Sequence, residues 1–310
     1  IEVAEHGSRA MLDGQIDNIH QVGALARTVT ERLEERLGVR LERVCVAAAG
    51  RALRTQSGSF TMDISAEKTI SAETISRLEA GALSAAEDAL QMEDEVRRQF
   101  FMVGYTVAQY RLDNYPLASL LDHNGQKAEA DVVATFLPGE VVESLYAAMR
   151  TAGLQGSCLT LEPIAAMNAA IPAELRLLNL ALVDIGAGTT DIAVCRDGSV
   201  TGYTMATIAG DEITEAIMRT FLVDFQTAEE MKRNFRPGED AHYTDILGLE
   251  NTAAFEEIHS AIQEPMGRLA EAIAVQVSEL NGGAPSALFM AGGGSKLAGL
   301  REKVAASLGM

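Results

Sequence analysis

The hydrophobic pattern along the chain changes period several times, and those changes predict its elements. Val22, Leu25, Val29, Leu33 and Leu37 recur at helical spacing, which predicts a helix stopped by Gly38. Leu41–Ala49 reads as a strand ending at Gly50; its alanines imply close packing against a helix or a second strand, and no chemistry is assigned to it. From about Arg51 to Ala128 the texture differs. Alternation over Gly58–Ile64 predicts a half-buried strand, and a helix with Ile75, Leu78, Leu83 and Leu90 starts at a Ser71 cap. Phe100–Tyr110 reads as an aromatic-rich strand, with turns at Asp113–Pro116 and Asp122–Gly125. Strands and one helix with no phosphate-binding signature predict an inserted α+β subdomain that serves as an interaction module.

Beyond Ala130 an α/β rhythm returns. A strand at Asp131–Phe136 leads to a helix with Val141, Val142, Leu145 and Met149, stopped by Gly153, and then to a strand at Gly156–Leu161. Glu162-Pro163 opens the next helix, where proline's missing N–H costs nothing. Glu162 has two readings: a charge favoured by the helix dipole, or a carboxylate at a sheet's carboxyl edge that holds a water or a metal. After Leu182–Val194, Arg196–Gly198 reads as a hairpin turn and Tyr203–Ile208 as the returning strand. A helix follows from Ala209, with Ile213, Ala216, Ile217 and Phe221 on its apolar face. In Thr227–Lys232, Glu229 and Lys232 share a helix face, ordinarily as a solvated ion pair. Residues 235–255 read as the most loop-like stretch. A long helix carries Ile258, Ile262, Met266, Leu269, Ile273 and Val277 before a buried strand, Ala287–Ala291, runs into Gly292, Gly293, Gly294 and Ser295.

The chemistry concentrates at Leu182–Val194, a buried strand, a glycine turn and a second strand. Gly186 and Gly188 can take φ > 0 and let the backbone approach a ligand closely. Amides in such a turn form an anion-binding nest, and Thr189 and Thr190 add hydroxyls. Asp184 and Asp191 beside it make sense when a cation such as Mg²⁺ accompanies the anion. The alternative is a plain glycine-rich hairpin turn. Three glycines after a buried strand predict a flat surface that a purine ring approaches.

Composition narrows the classes. At 310 residues, 47% apolar and 22% charged, the chain reads as a soluble protein of two or more lobes. No run of ~18 apolar residues predicts a transmembrane helix, and the acidic start Ile1–His6 does not read as a signal peptide. A net charge of −19 argues against nonspecific nucleic-acid binding. Cys45, Cys158 and Cys195 lie in apolar strand-like runs and are expected to be buried reduced thiols of a cytoplasmic protein, neither metal ligands nor disulfide partners. The histidines form no zinc-binding pair.

Asp184–Asp191, followed by Met290–Ser295, resembles the second phosphate motif and the adenosine motif of the actin-like ATPase superfamily. Glu162–Ala166 resembles that fold's first connecting helix. Within the superfamily the chain is similar to the FtsA group and its pilus-assembly relative PilM. The likeness rests on Arg9–Ile16 with the helix and Val44–Gly50 strand after it, on the insertion at 51–128, and on Asn168–Ile185 and Ala209–Lys232. The resemblance implies an α/β, actin-like (ribonuclease-H-like duplicated) two-lobed fold. Residues 1–50 and 129–178 would form the first lobe, 51–128 the FtsA-type subdomain and 179–310 the second lobe.

It further implies ATP and Mg²⁺ as cofactors. Asp184 would hold Mg²⁺ through water, and Gly186, Ala187, Gly188, Thr189 and Thr190 would bind the β- and γ-phosphates. Glu162 would polarise the attacking water. Gly210 and Asp211 would border phosphates or ribose, Glu229 and Lys232 ribose and base, and Gly292, Gly293, Gly294 and Ser295 the adenine. The function implied is nucleotide-dependent lobe closure that controls self-assembly or partner recruitment in cell division, with weak ATPase activity possible. Partners would be ATP or ADP and an FtsZ-like or pilus inner-membrane protein, in the cytoplasm at the inner face of the membrane. The alternatives are a PilM-like scaffold, a scaffold deficient in nucleotide binding, or a small-molecule kinase, for which no substrate segment is found. The superfamily's first phosphate motif, Asp-x-Gly-Thr/Ser with a downstream Lys, is not found, and Ile1 falls where the third strand is expected. No C-terminal amphipathic membrane helix is found either, so membrane attachment is not argued.

Overall fold

The computed structural model describes residues 1–6, 10–12, 15–48, 53–66, 68–93, 99–172, 174–196 and 198–310. These group into two units, Ile1–Leu177 with Cys195–Gly202, and Leu178–Val194 with Tyr203–Met310. In the expected Arg9–Ile16 segment, Arg9, Asp13 and Gly14 lie outside the described residues, as do Ala49, Gly50 and Arg51 at the strand end and Asp197 in the hairpin turn.

The first unit begins with a short antiparallel pair, β1 (Met11–Leu12) and β2 (Gln15–Ile16). Helix α1 (Ile19–Leu37) is capped by Asn18, whose Oδ1 accepts from the Gln21 amide at 3.0 Å, and it ends at Gly38 with φ 67°. Strand β3 (Arg43–Ala48) leads into the stretch expected to be an inserted subdomain. There β4 (Arg54–Asp63), α2 (Ala72–Glu93), β5 (Phe100–Leu112), β6 (Tyr115–Leu117) and β7 (Lys127–Pro138) build an antiparallel sheet ordered β4-β7-β5-β6. Ser71 Oγ accepts from the Thr74 amide at 3.2 Å, as expected of a cap. Helix α2 buries Leu78, Ala82, Ala86 and Leu90, an i, i+4 stripe in which small residues let it lie close to the sheet. Asp113 and Asn114 take φ of 50° and 69° to turn β5 into β6, and Pro116 sits in that short edge strand, where no inward N–H is required.

The strand expected at Asp131–Phe136 extends over Lys127–Pro138 and pairs along its length with β4 and β5. It runs straight into α3 (Gly139–Thr151), followed by β8 (Gln155–Leu161) and α4 (Glu162–Ala170), with Pro163 in the first turn of α4. Strand β8 pairs in parallel with β3, Arg43 opposite Gln155 and Ala48 opposite Leu161.

Here the cysteine expectation is overturned. Cys45 and Cys158 are exposed rather than buried, lie opposite each other with Cα atoms 4.7 Å apart, and are joined as a disulfide. Strand register brings them together across 113 residues of sequence, which no local pattern announces. Only Cys195 is a free, buried thiol among the described residues, so the case for a reducing compartment does not extend to the linked pair.

A four-stranded sheet is made of β9 (Leu180–Ile185), β10 (Thr190–Arg196), β11 (Ser199–Ala206) and β14 (Ala287–Ala291), ordered β11-β10-β9-β14; the second unit holds β9, β14, β10 up to Val194 and β11 from Tyr203. Between β11 and β14 come α5 (Gly210–Phe221), α6 (Phe225–Asn234), β12 (Ala241–Thr244), β13 (Glu250–Ala253) and α7 (Phe255–Asn281); α8 (Leu300–Leu308) closes the unit. Ala181, Val183, Ile185, Ile192 and Val194 form one buried cluster with Ile213 and Ile217 of α5 and the predicted stripe of α7, Ile258 to Val277. Both central strands are therefore largely apolar, as strands covered on two faces must be, and their polar residues sit at the ends, Asp184 in β9 and Thr190, Asp191 and Arg196 in β10.

Residues 235–255 are less loop-like than expected. β12 and β13 form an antiparallel hairpin, His242 bonded to Thr252 at 2.9 Å and Thr244 to Glu250 at 3.0 Å. Ala241, Tyr243 and Ala253 face the core and the polar pairs face outward, an alternation too short, at four residues a strand, to stand out in the hydrophobic pattern. Among the described residues no helix is long and apolar enough to cross a membrane.

Candidate functional site

Register assembles the site. Strand β14 runs parallel to β9 with Ala291 opposite Asp184, so the glycines after β14 arrive beside the turn after β9. Gly292 takes φ 79°, and a Cβ on it would overlap a carboxylate oxygen of Asp184 and the carbonyl of Ile185. Only glycine fits that crossing. Gly294 presses on the Ile185 side chain in the same way, and Ser295 donates from Oγ to the Gly292 carbonyl at 2.8 Å, which tightens the turn. Around Gly293 a Cβ would meet nothing within 4 Å, so this face of the glycine run is open.

The phosphate-type turn differs in detail from its sequence reading. Neither Gly186 nor Gly188 has a positive φ; the closure is a backbone bond from the Gly186 amide to the Thr189 carbonyl at 2.9 Å, with Ala187 exposed at the tip. The hydroxyls point inward. Thr190 is buried and donates to the Ile208 carbonyl at 2.8 Å, and Thr189 donates to buried Asp191 at 3.1 Å. Both side chains brace the turn, which leaves its backbone as the ligand-facing part. Two further bonds tie that backbone to the start of α5: the Gly210 amide to the Gly186 carbonyl at 3.1 Å, and the Asp211 amide to the Ala187 carbonyl at 2.7 Å. A Cβ at Gly210 would sit 3.0 Å from the Gly186 oxygen, so the helix start and the turn are in contact.

From Gly210 the network reaches α6. Lys232 Nζ donates to the Gly210 carbonyl at 3.2 Å and to Thr214 Oγ1 at 2.8 Å, and it pairs with Glu229 at 2.5 Å. The Thr214 hydroxyl donates in turn to Glu229 at 2.7 Å. The Lys232 and Glu229 side chains are only 14% and 24% exposed, so this is not the solvated ion pair that i, i+3 spacing suggests. Thr214 is the residue that sequence reasoning missed. It falls one helical turn after Gly210, and a polar residue at that spacing on an apolar face was the available signal.

Electrostatics set Asp184 apart. Burial pushes its carboxyl above the ordinary range, because desolvation disfavours the charged form. At Glu229 burial also raises the carboxyl, but hydrogen bonds from Lys232, Thr214 and Arg233, with the Lys232 charge, outweigh it and hold the group below the ordinary value. Lys232 is thus neutralised within the network, whereas the half-buried Asp184 is suited to a cation, and the open backbone at Gly293 leaves room for a flat ligand. These features fit a magnesium–nucleotide complex. Asp184, Gly186–Thr190, Gly210, Asp211, Glu229, Lys232 and Gly292–Ser295 all lie in the second unit. Glu162 does not: it opens α4 in the first unit, exposed, one residue beyond the end of β8.

Comparison with known proteins agrees with this architecture. The family model described as cell division protein FtsA matches residues 181–310. Cell division protein FtsA of Pseudomonas aeruginosa is 26% identical over 234 residues, covering 75% of this chain and 54% of that protein. Its counterpart in Bacillus subtilis (strain 168) is 25% identical over 237 residues, covering 75% and 51%. The chain thus spans about half the length of the curated relatives it matches. Among solved structures, a PilM-PilN type IV pilus biogenesis complex superposes with a TM-score of 0.65 at 21% identity, covering all of this chain and 78% of that one. The ethanolamine utilization protein EutJ from Carboxydothermus hydrogenoformans reaches 0.53 at 16% identity, covering 97% and 70%. Residues 181–310 are thus similar to cell division protein FtsA, and the chain along its whole length shares the fold of the PilM structure.

Proposed function

We propose that the chain binds ATP with Mg²⁺ through its second unit and works as an FtsA-type protein, in which nucleotide occupancy controls self-assembly or recruitment of a protein partner in cell division. The observation that carries this reading is the crossing of Gly292 over Asp184, which joins an open glycine surface to a desolvated carboxylate. In this reading Asp184 accepts hydrogen bonds from water on the metal. Backbone amides of Gly186–Thr190 face the phosphates, held in shape by Thr189 and Thr190 from behind. Gly210 and Asp211 border phosphates or ribose, and the Glu229–Lys232 pair, locked by Thr214, lines the ribose and base. Gly292, Gly293, Gly294 and Ser295 pass along the adenine. The bound magnesium supplies charge neutralisation to the phosphates. Glu162, at the carboxyl end of β8, is assigned the orientation of a water, so hydrolysis, where it occurs, rests on positioning.

A scaffold of the PilM kind is the second reading, favoured by the superposition over the full chain. An FtsZ-like protein is the partner in the first case and a pilus inner-membrane component in the second, both reached from the cytoplasmic side. Calorimetric titration of the chain with ATP in magnesium tests the binding claim, and no detectable heat or saturation would defeat it. Sedimentation with and without ATP then separates assembly from simple binding. Phosphate transfer to small acceptors would mark the protein as a kinase instead.

A further inference from the structure

The cysteines divide by environment. Cys195 is buried in β10 and its thiol points to the Arg176 carbonyl, 3.2 Å away. Cys45 and Cys158 are exposed and joined to each other on the β3–β8 pair. That pair is a sheet of two strands among the described residues, and its register shifts between Val44 and Cys45, immediately before the linked position. Beyond the link the ladder continues only through Val46–Leu159, Ala47–Thr160 and Ala48–Leu161, and Glu162 follows. The bond therefore sits where an irregular register is restored, at the base of the short ladder that delivers Glu162.

We propose that Cys45–Cys158 is a reversible thiol–disulfide site, exchanging with low-molecular-weight thiols, that clamps β8 and the start of α4 against β3. Exchange needs an accessible sulfur, and both cysteines are exposed. Beside them Arg43 donates from Nε to Ser157 Oγ at 2.8 Å, a second side-chain tie across the same strand pair that remains when the disulfide opens. In the reductive direction a small-molecule thiolate attacks one sulfur, the S–S bond breaks, and the other cysteine leaves as thiolate. A second small-molecule thiolate then attacks the mixed disulfide at its small-molecule sulfur and releases the remaining cysteine. The two cysteines gain two electrons and two protons, and a small-molecule disulfide departs. Oxidation by a low-molecular-weight disulfide runs the same steps in reverse. The consequence for water orientation rests on the role proposed for Glu162; the exchange itself does not.

The test is alkylation of the native chain with iodoacetamide across a series of glutathione redox buffers, read by peptide mass spectrometry, alongside hydrogen exchange over residues 155–166. In oxidised buffer neither Cys45 nor Cys158 should alkylate. In reduced buffer both should alkylate together, while Cys195 stays unmodified until the chain is unfolded. Reduction should speed exchange in 155–166 by about tenfold, reversibly, because a local opening becomes easier. Cys158→Ser should show the fast exchange at every redox setting. Alkylation of Cys45 and Cys158 in oxidised buffer, reduction only after unfolding, or identical exchange in the two forms would each overturn the proposal. None of these readouts involves nucleotide, so a failure here is distinct from a failure of the ATP-binding reading.

Discussion

Two parallel strand pairs carry the two carboxylates of interest, and they are built differently. In the second unit β9 pairs with β14 inside a four-stranded sheet whose central strands are buried on both faces, and Asp184 emerges beside Ala291. In the first unit β3 pairs, among the described residues, only with β8, much of their side-chain surface is exposed, and Glu162 follows Leu161 at the strand end. Each pair is followed by a glycine turn or a helix start, so the same construction appears twice with different backing. A carboxylate on a fully packed sheet is fixed by the core. One on a two-stranded ladder depends on local ties, here a disulfide and the Arg43–Ser157 bond. In the function proposed above, the rigid task, holding a cation, falls to Asp184, and the adjustable one, orienting a water, to Glu162.

The largest expected effect follows from packing. Ile192→Ala removes a side chain with no exposure and should cost about 3–4 kcal/mol of unfolding free energy. Val46→Ala, on a half-buried position of β3, should cost about 1 kcal/mol. Equal losses in urea titrations would remove the distinction between the two sheets. Gly292→Ala should cost about 3 kcal/mol, since it adds a Cβ at positive φ into Asp184 and Ile185. Next comes the carboxylate comparison itself. Asp184→Asn should weaken magnesium–ATP binding by about 10- to 100-fold while leaving the ligand-free melting temperature unchanged or higher, because a desolvated charge is removed. Glu162→Gln should leave that affinity within about twofold and lower any hydrolysis by about 100-fold. An Asp184→Asn variant that binds like the parent would sink the cation assignment.

Much of the second unit was legible because its signals are local. The buried run Leu182–Val194, the turn residues Gly186–Thr190 and the glycine run at 292–294 each carry their meaning within a few positions. What was illegible depends on register or on polar pairing. That Thr189 and Thr190 turn inward could not be read, since a hydroxyl serves a phosphate or a carbonyl equally well; here the carbonyl of Ile208 and the carboxylate of Asp191 take them. The Cys45–Cys158 juxtaposition needs the offset between two parallel strands, which hydrophobic period does not encode. The β12–β13 hairpin alternates over only four residues a strand, with alanines among its inward positions, so its signal is weaker than that of Gly58–Ile64.

A smaller effect probes the Glu229 network. Its folded-state carboxyl lies below the ordinary glutamate value of 4.5, so its contribution to stability is fully present above that value. It is lost as pH falls through the lower folded value. Glu229→Gln should therefore cost about 1 kcal/mol at neutral pH, and the gap between variant and parent should close in acid. A gap that persists unchanged at pH 3 would show that the charge on Glu229 is not what stabilises Lys232 and Thr214.

The smallest stability effect sharpens the picture most. Gly292 and Gly293 are neighbours, yet their surroundings are opposite. Gly292 is held at φ 79° against Asp184, whereas Gly293 has helical backbone angles, φ −65° and ψ −39°, and space on its Cβ side. If the glycine run existed only to let β14 pass β9, Gly293 would have no reason to lack a side chain. Gly293→Ala should then change unfolding free energy by less than about 0.5 kcal/mol and leave nucleotide binding untouched. If the run instead forms the surface along which adenine lies, stability is just as little affected, but the added methyl occupies ligand space and affinity for ATP falls by about tenfold. Melting and calorimetric titration of this one variant separate the two uses of glycine. The second outcome is the one expected from the open face at Gly293.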